Sequence, residues 1–187
     1  FEHLDEQQTF RPLKAQDLRQ AAMCFTKGTA HTDGWRPRIL ASLTDDTLEK
    51  LAVILTIVEA VGGYPPKLRF VLTALIDKSD GGLRPINLFP CIVRVHAKTR
   101  SRYLKQWAKS TGHTVENNMA SGRSTGDGLY RHLVRRAQSA SDDRFAASIL
   151  WDLRKAFENV RRDQLVEAAR HFGYPQAWLR VAIHCYG

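Results

Sequence analysis

The sequence predicts an α+β layout, with α/β as the alternative, on three observations. Several segments carry apolar residues at helical spacing. One segment, "LRFVLTALIDKSDGGLRPINLF", is apolar and β-branched on both sides of a glycine-containing turn. Another, "RFAASILWDL", is a nearly continuous apolar run of strand length. The 187 residues suit one sizeable domain or two small subdomains, and 43% apolar content can furnish a core.

Residues 1–40 signal weakly. "KAQDLRQAAMCF" can form a helix, and "KGTAHTDGWRPR" is turn-rich and reads as a connection. "SLTDDTLEKLAVILTIVEAVGG" reads clearly as a helix. Ser, Thr and Asp precede it, Leu48, Leu51, Leu55 and Val58 recur at helical spacing, and Gly62 is a stop. The hairpin follows. Pro85 makes its second strand an edge or interrupts it early, because proline has no N–H to give a ladder.

"IVRVHAKTRSRYLKQWAKS" is the next helix. Arg94, Lys98, Arg102, Lys105 and Lys109 are spaced by four, four, three and four, which puts them on one stripe. Val93, Ala97, Leu104 and Ala108 form another face, and no acid interrupts the segment. A solvated helix face usually mixes signs; an unmixed basic stripe suits a phosphate backbone. "SGRSTGDGLYRHLVRRAQSASDD" begins as a Gly/Ser loop and becomes a helix capped by Ser124 or Thr125. The strand "RFAASILWDL", a short helix from Asp163 to "HFGYP" and a helix over "QAWLRVAIHCYG" complete the order.

Charge is uneven. Residues 1–60 hold seven Lys/Arg against nine Asp/Glu, a net of −2; residues 61–187 hold 21 against ten, a net of +11. A basic excess of this kind favours a polyanionic partner. Cys24, Cys91 and Cys185 are too scattered for a disulfide framework or a zinc site, which favours a reducing compartment. No apolar stretch approaches the roughly 20 residues of a membrane span, and none reads as a signal peptide. The expected setting is intracellular, in nucleus or cytoplasm, with no membrane partner. The opening Phe1 leads us to expect a piece of something longer.

Asp152 leaves an apolar strand within "ILWDLRKAFENV". A carboxylate there needs a neutralising partner. A structural hydrogen bond or a helix cap is one answer. A divalent cation shared with substrate phosphates is the other, since Mg²⁺ accepts one or two protein carboxylates plus phosphate oxygens.

"WDLRKAFENV" resembles the first catalytic motif of reverse transcriptases of the non-LTR retrotransposon type, Asp-x-x-Lys-Ala-Phe-Asp-x-Val. Asp152, Lys155, Ala156, Phe157 and Val160 match, and Glu158 replaces the usual aspartate. Three further stretches are similar, in the family's order. "KSDGGLRPINL" resembles the finger hairpin, "SGRSTGDGLY" the Gly-Arg-Ser-Thr-x-Asp loop, and "HFGYPQAWLR" the Gly-x-Pro segment. "TAHTDGW" weakly echoes the upstream Pro-Gly-Pro-Asp-Gly. The resemblance covers residues 27–187. His31 and Thr32 stand where the family has Gly and Pro, and Met119-Ala120 occupies the place of its Gly-Phe.

The resemblance implies a right-hand polymerase fragment, helices packed around a hairpin and a central palm strand. Residues 1–40 would lead into the fingers, 41–144 would be fingers with the basic helix and the Gly-Arg-Ser-Thr loop, and 145–187 would begin the palm. The activity implied is RNA-directed DNA synthesis on an RNA template and DNA primer, with deoxynucleoside triphosphates as substrates. Asp152 and the Leu153 carbonyl would hold Mg²⁺, two ions in the complete active site, with Mn²⁺ able to substitute. Lys78 and Arg84 would grip the triphosphate. Phe157 would sit against the incoming sugar and exclude a 2′-hydroxyl. Arg123 would join the stripe along template phosphates. The family's Gln-Gly and aromatic-x-Asp-Asp motifs would lie past Gly187, so these residues alone are expected to bind and not to catalyse. A group II intron-type reverse transcriptase and a non-catalytic nucleic-acid-binding remnant are the alternatives. No feature of the sequence sets an oligomeric state.

Overall fold

Helix α1 (Ala15–Met23) buries Leu18, Ala21 and Ala22 and packs against α2 (Pro37–Ala41) and α3 (Asp45–Val61). The computed structural model describes residues 10–29, 31–79, 81–111, 124–145, 147, 149 and 159–185. They form a mixed helical chain with one small antiparallel sheet, an α+β arrangement. Two compact units divide it, Phe1–Arg102 with Gly173–Gly187, and Tyr103–Phe172.

In the first unit, the segment read as a connection runs into α2, whose first two residues, Pro37 and Arg38, end it. Pro37 starts that helix, because its fixed φ suits the first turn and its missing N–H would have had no partner there. Thr44 caps α3 by accepting from the Thr47 N–H, with Asp45 and Asp46 in the first turn. Leu48, Ala52, Leu55 and Val58 form its buried face, with Leu51 half-buried. Gly62 ends α3 at φ +82°, a conformation that costs a side-chain-bearing residue. A 3₁₀ turn, Pro66–Leu68, follows, absent from the sequence reading.

The hairpin pairs β1 (Leu72–Asp77) with β2 (Leu83–Leu88), beginning later than its apolar run because the 3₁₀ turn takes Leu68. Gly81, at φ +82°, donates to the Lys78 carbonyl, and the Lys78 N–H reaches the Gly82 carbonyl, a three-residue loop with a glycine bulge. Pro85 faces Leu75 without interrupting β2, since each strand of a two-stranded sheet has an open edge. Helix α4 (Cys91–Ser110) contributes Val93, Val95, His96 and Arg100 to the core, and α7 (Gln176–Cys185) contributes Trp178, Leu179 and Val181. On the apolar face read from spacing, Val93 is buried, while Ala97, Leu104 and Ala108 are only partly covered.

The second unit holds the end of α4, α5 (Thr125–Ser141) and α6 (Arg162–His171). Ala169 alone is fully buried among its described residues. The Trp107 indole N–H donates to the Phe172 carbonyl at 2.9 Å. The expected palm strand lies mostly outside the described residues. Phe145 and Ile149 are exposed, whereas a central strand needs neighbours on both faces to be covered. Among the described residues, no helix is long and apolar enough to cross a membrane. The three cysteines are free thiols.

Candidate functional site

The five cations of the stripe, Arg94, Lys98, Arg102, Lys105 and Lys109, are all exposed along α4. The steps between them climb about 4.5–6 Å each. Arg94 also has local work: its guanidinium lies 5.4 Å over the Phe25 ring and 3.4 Å from His31 Nδ1. Burial beside the Arg94 charge holds the His31 imidazole below its ordinary range.

The face opposite the stripe explains its orientation. Lys98 and Arg102 stand two residues either side of Arg100, about 200° around the helix. Arg100 and His96 are fully buried. Arg100 donates from Nε to Glu59 Oε1 and from Nη2 to Oε2, each at 2.6 Å, and from Nη2 to the Arg11 carbonyl at 3.0 Å. Its guanidinium lies 4.6 Å over the Phe10 ring. His96 Nε2 is 2.8 Å from Glu59 Oε1, and Nδ1 is 2.6 Å from the Tyr64 hydroxyl. The Trp178 ring meets His96 edge-on at 5.2 Å.

These contacts set the protonation states. Burial pushes Glu59 up, but hydrogen bonds from His96 and Arg100, with the Arg100 charge, outweigh it and hold the carboxyl below its ordinary range. Burial dominates at His96 and depresses it despite Glu59. The imidazole is therefore neutral. A carboxylate only accepts, so Nε2 carries the proton and Nδ1 accepts from Tyr64. Burial above all, with the Glu59 carboxylate nearby, raises the Tyr64 phenol, which stays protonated as that donor. The network ties α3, its following turn, α4 and α7 together, and so aims the stripe at water.

Two motifs of the resemblance have a local physical role. In "SGRSTGDGLY", the Ser124 hydroxyl accepts from the Asp127 N–H at 3.3 Å, and the Asp127 carboxylate accepts from the Ser124 N–H at 2.6 Å. That is a capping box, and Ser124 rather than Thr125 is the cap. In "TAHTDGW", Asp33 accepts from the Cys91 N–H at 2.9 Å at the start of α4, and from the Trp35 N–H at 3.2 Å. Burial and the Asp33 charge push the Cys91 thiol up to about 11.

Lys78 and Arg84 lie on the hairpin. Arg84 pairs with Ile76, and the Lys78 bond to Gly82 continues the ladder. Strand alternation then places Lys78, Ile76 and Arg84 on one face at the hairpin tip. Both cations are exposed. Asp152, Leu153, Phe157 and Arg123 lie outside the described residues. Among the described residues, no group of three or more His, Cys, Asp or Glu side chains is placed to hold a metal ion.

Sequence reasoning missed Glu59, His96 and Arg100. The signal was available: Glu59 is the only charge in a run of apolar residues, and His96 and Arg100 are four apart on the side away from the stripe. A charge that faces a core must be paired there. The chain matches no protein-family model, and a search of curated proteins returns no match.

Proposed function

We propose that this chain carries the fingers and the first part of the palm of a reverse transcriptase, and that the complete activity is RNA-directed DNA synthesis. The observation that carries the reading is the order of four motifs from "KSDGGLRPINL" to "HFGYPQAWLR". Two placements support it. Lys78 and Arg84 share one face of the hairpin, where an Arg fork and a Lys point charge suit a triphosphate. The stripe of α4 is exposed, unmixed in sign and sequence-independent in what it can contact. In this reading, Asp152 and the Leu153 carbonyl would hold divalent cations that activate the primer hydroxyl and brace the leaving pyrophosphate. Phe157 would line the sugar site. The chain's own cations position the template and the triphosphate.

Primer extension with Mg²⁺, in a polypeptide that also carries the Asp-Asp motif, tests the reading. Asp152→Asn should abolish extension with the fold retained, and Phe157→Val should lower the preference for deoxy- over ribonucleotides. Asp152→Asn activity within tenfold of the parent would refute the metal-ligand role. Binding of a primer–template duplex without extension would favour the nucleic-acid-binding remnant.

A further inference from the structure

We infer that Trp35 is a base-stacking platform at the head of the α4 stripe, and that this surface takes a single strand with unpaired bases. The inference rests on the nucleic-acid reading of the stripe and adds to it the state of the strand. Trp is highly buried on average, since its large ring gains much by leaving water. Trp35 is 48% exposed. It stands in "TKGTAHTDGWRPR", where Lys27, Arg36 and Arg38 outnumber the single acid Asp33, although residues 1–60 as a whole are net acidic.

Two residues of this loop hold it to α4. The Asp33 carboxylate accepts the Trp35 N–H on one oxygen, at 3.2 Å, and the N–H of Cys91, the first residue of α4, on the other, at 2.9 Å. The backbones of Trp35 and of the start of α4 therefore stand either side of one carboxylate. His31 lies 3.4 Å from the guanidinium of Arg94, the first cation of the stripe. Arg94 in turn covers the Phe25 ring, which meets His31 edge-on at 6.0 Å. Gly34, at φ +72°, donates to the His31 carbonyl and closes the turn just before Trp35.

A single-strand site has two parts. Exposed cations follow the phosphate backbone without regard to sequence, and an aromatic face receives an unpaired base. Arg36, Lys98 and Arg102 are exposed and supply the first part. Trp35 supplies the second. Bases inside a duplex already stack on one another and offer no free face, so the platform adds affinity for a single strand and none for a duplex. A packing role competes with this. Trp35 precedes Arg36, the cap of α2, and from that position an apolar side chain can staple onto its helix. A staple needs only apolar bulk, whereas stacking needs a flat ring.

The test is fluorescence anisotropy on the 187-residue chain at several salt concentrations. The probes are a labelled single-stranded oligoribonucleotide, a primer–template duplex, and an abasic strand of the single strand's length. Trp35→Leu keeps the apolar bulk. It should weaken single-strand binding roughly tenfold and leave the duplex and the abasic strand within about twofold. The salt slope should not move, because no charge is lost. Trp35→Phe should restore most of the affinity. Parent-like single-strand binding by Trp35→Leu, with the salt slope intact, would overturn the platform and leave the stripe standing. Equal weakening toward all three probes would also overturn it, and would make Trp35 a staple that holds the loop in place. A parent that binds none of the three at low salt would remove the stripe reading itself, and the platform with it.

Discussion

Arg100 grips both oxygens of Glu59 at 2.6 Å, although 41 residues separate them, and both side chains are buried. This two-pronged pair fixes α4 on α3. Breaking one side leaves a buried charge without its partner. Arg100→Met should destabilise the first unit by about 3–5 kcal/mol. Adding Glu59→Gln should recover part of the loss, because Gln keeps an acceptor for His96 and removes the stranded charge. Urea denaturation of the three variants measures the coupling. A double variant that loses the sum of two single losses would count against the pair.

Acid should loosen the same core from near neutrality. The folded His96 is depressed below its ordinary value of 6.5, so the unfolded chain takes up a proton first as pH falls. Its contribution is complete above about pH 6.5. It is lost as pH drops toward the folded value. Glu59, depressed below its ordinary 4.5, adds a second loss at lower pH. Arg100 stays charged and opposes protonation of His96 throughout. In His96→Gln, stability between pH 6.5 and 5 should fall less steeply than in the parent, with His31 supplying the remaining slope. Thermal unfolding at half-unit pH steps decides it, and identical slopes would remove His96 from the account.

The capping box of α5 should be worth about 1 kcal/mol on each side. Ser124→Ala leaves the Asp127 N–H without its acceptor, and Asp127→Ala leaves the Ser124 N–H likewise. The double variant should lose less than the sum of the two single losses, because the bonds are reciprocal. Helical circular dichroism and denaturant midpoints provide the measurement.

The stripe should show itself in salt. Replacing Lys98, Arg102 and Lys105 with Gln removes three exposed cations from α4. The dependence of log affinity on log salt, read by anisotropy with a labelled primer–template duplex, should flatten by roughly 2–3 units. An unchanged slope would mean that these cations only solvate the helix.

The hairpin cations should act on a different quantity. Lys78→Gln and Arg84→Gln, in a polypeptide competent for extension, should raise the KM for deoxynucleoside triphosphates and leave duplex affinity within about twofold. A loss of duplex affinity in place of the KM effect would move both residues from the triphosphate to the template.

Local pattern carried much of this fold. Thr44 and Gly62 bound α3 because capping and left-handed geometry depend on residues within a few positions. The α4 stripe was legible because its spacing is a property of the helix itself. Gly81 closes the hairpin for the same local reason. The turn at 66–68 and the five-residue α2 were missed, since short segments carry too little periodicity to distinguish from loop. What the sequence by itself determined is the order of the longer helices and the hairpin, and which residues of a helix share a face. Only the tertiary structure decided which face is inside. The reading of local pattern gave Glu59, His96 and Arg100 no role, and each is buried because partners 32 to 41 residues away hydrogen-bond or pair with it. Such pairing is a property of chain reversals that no local window contains.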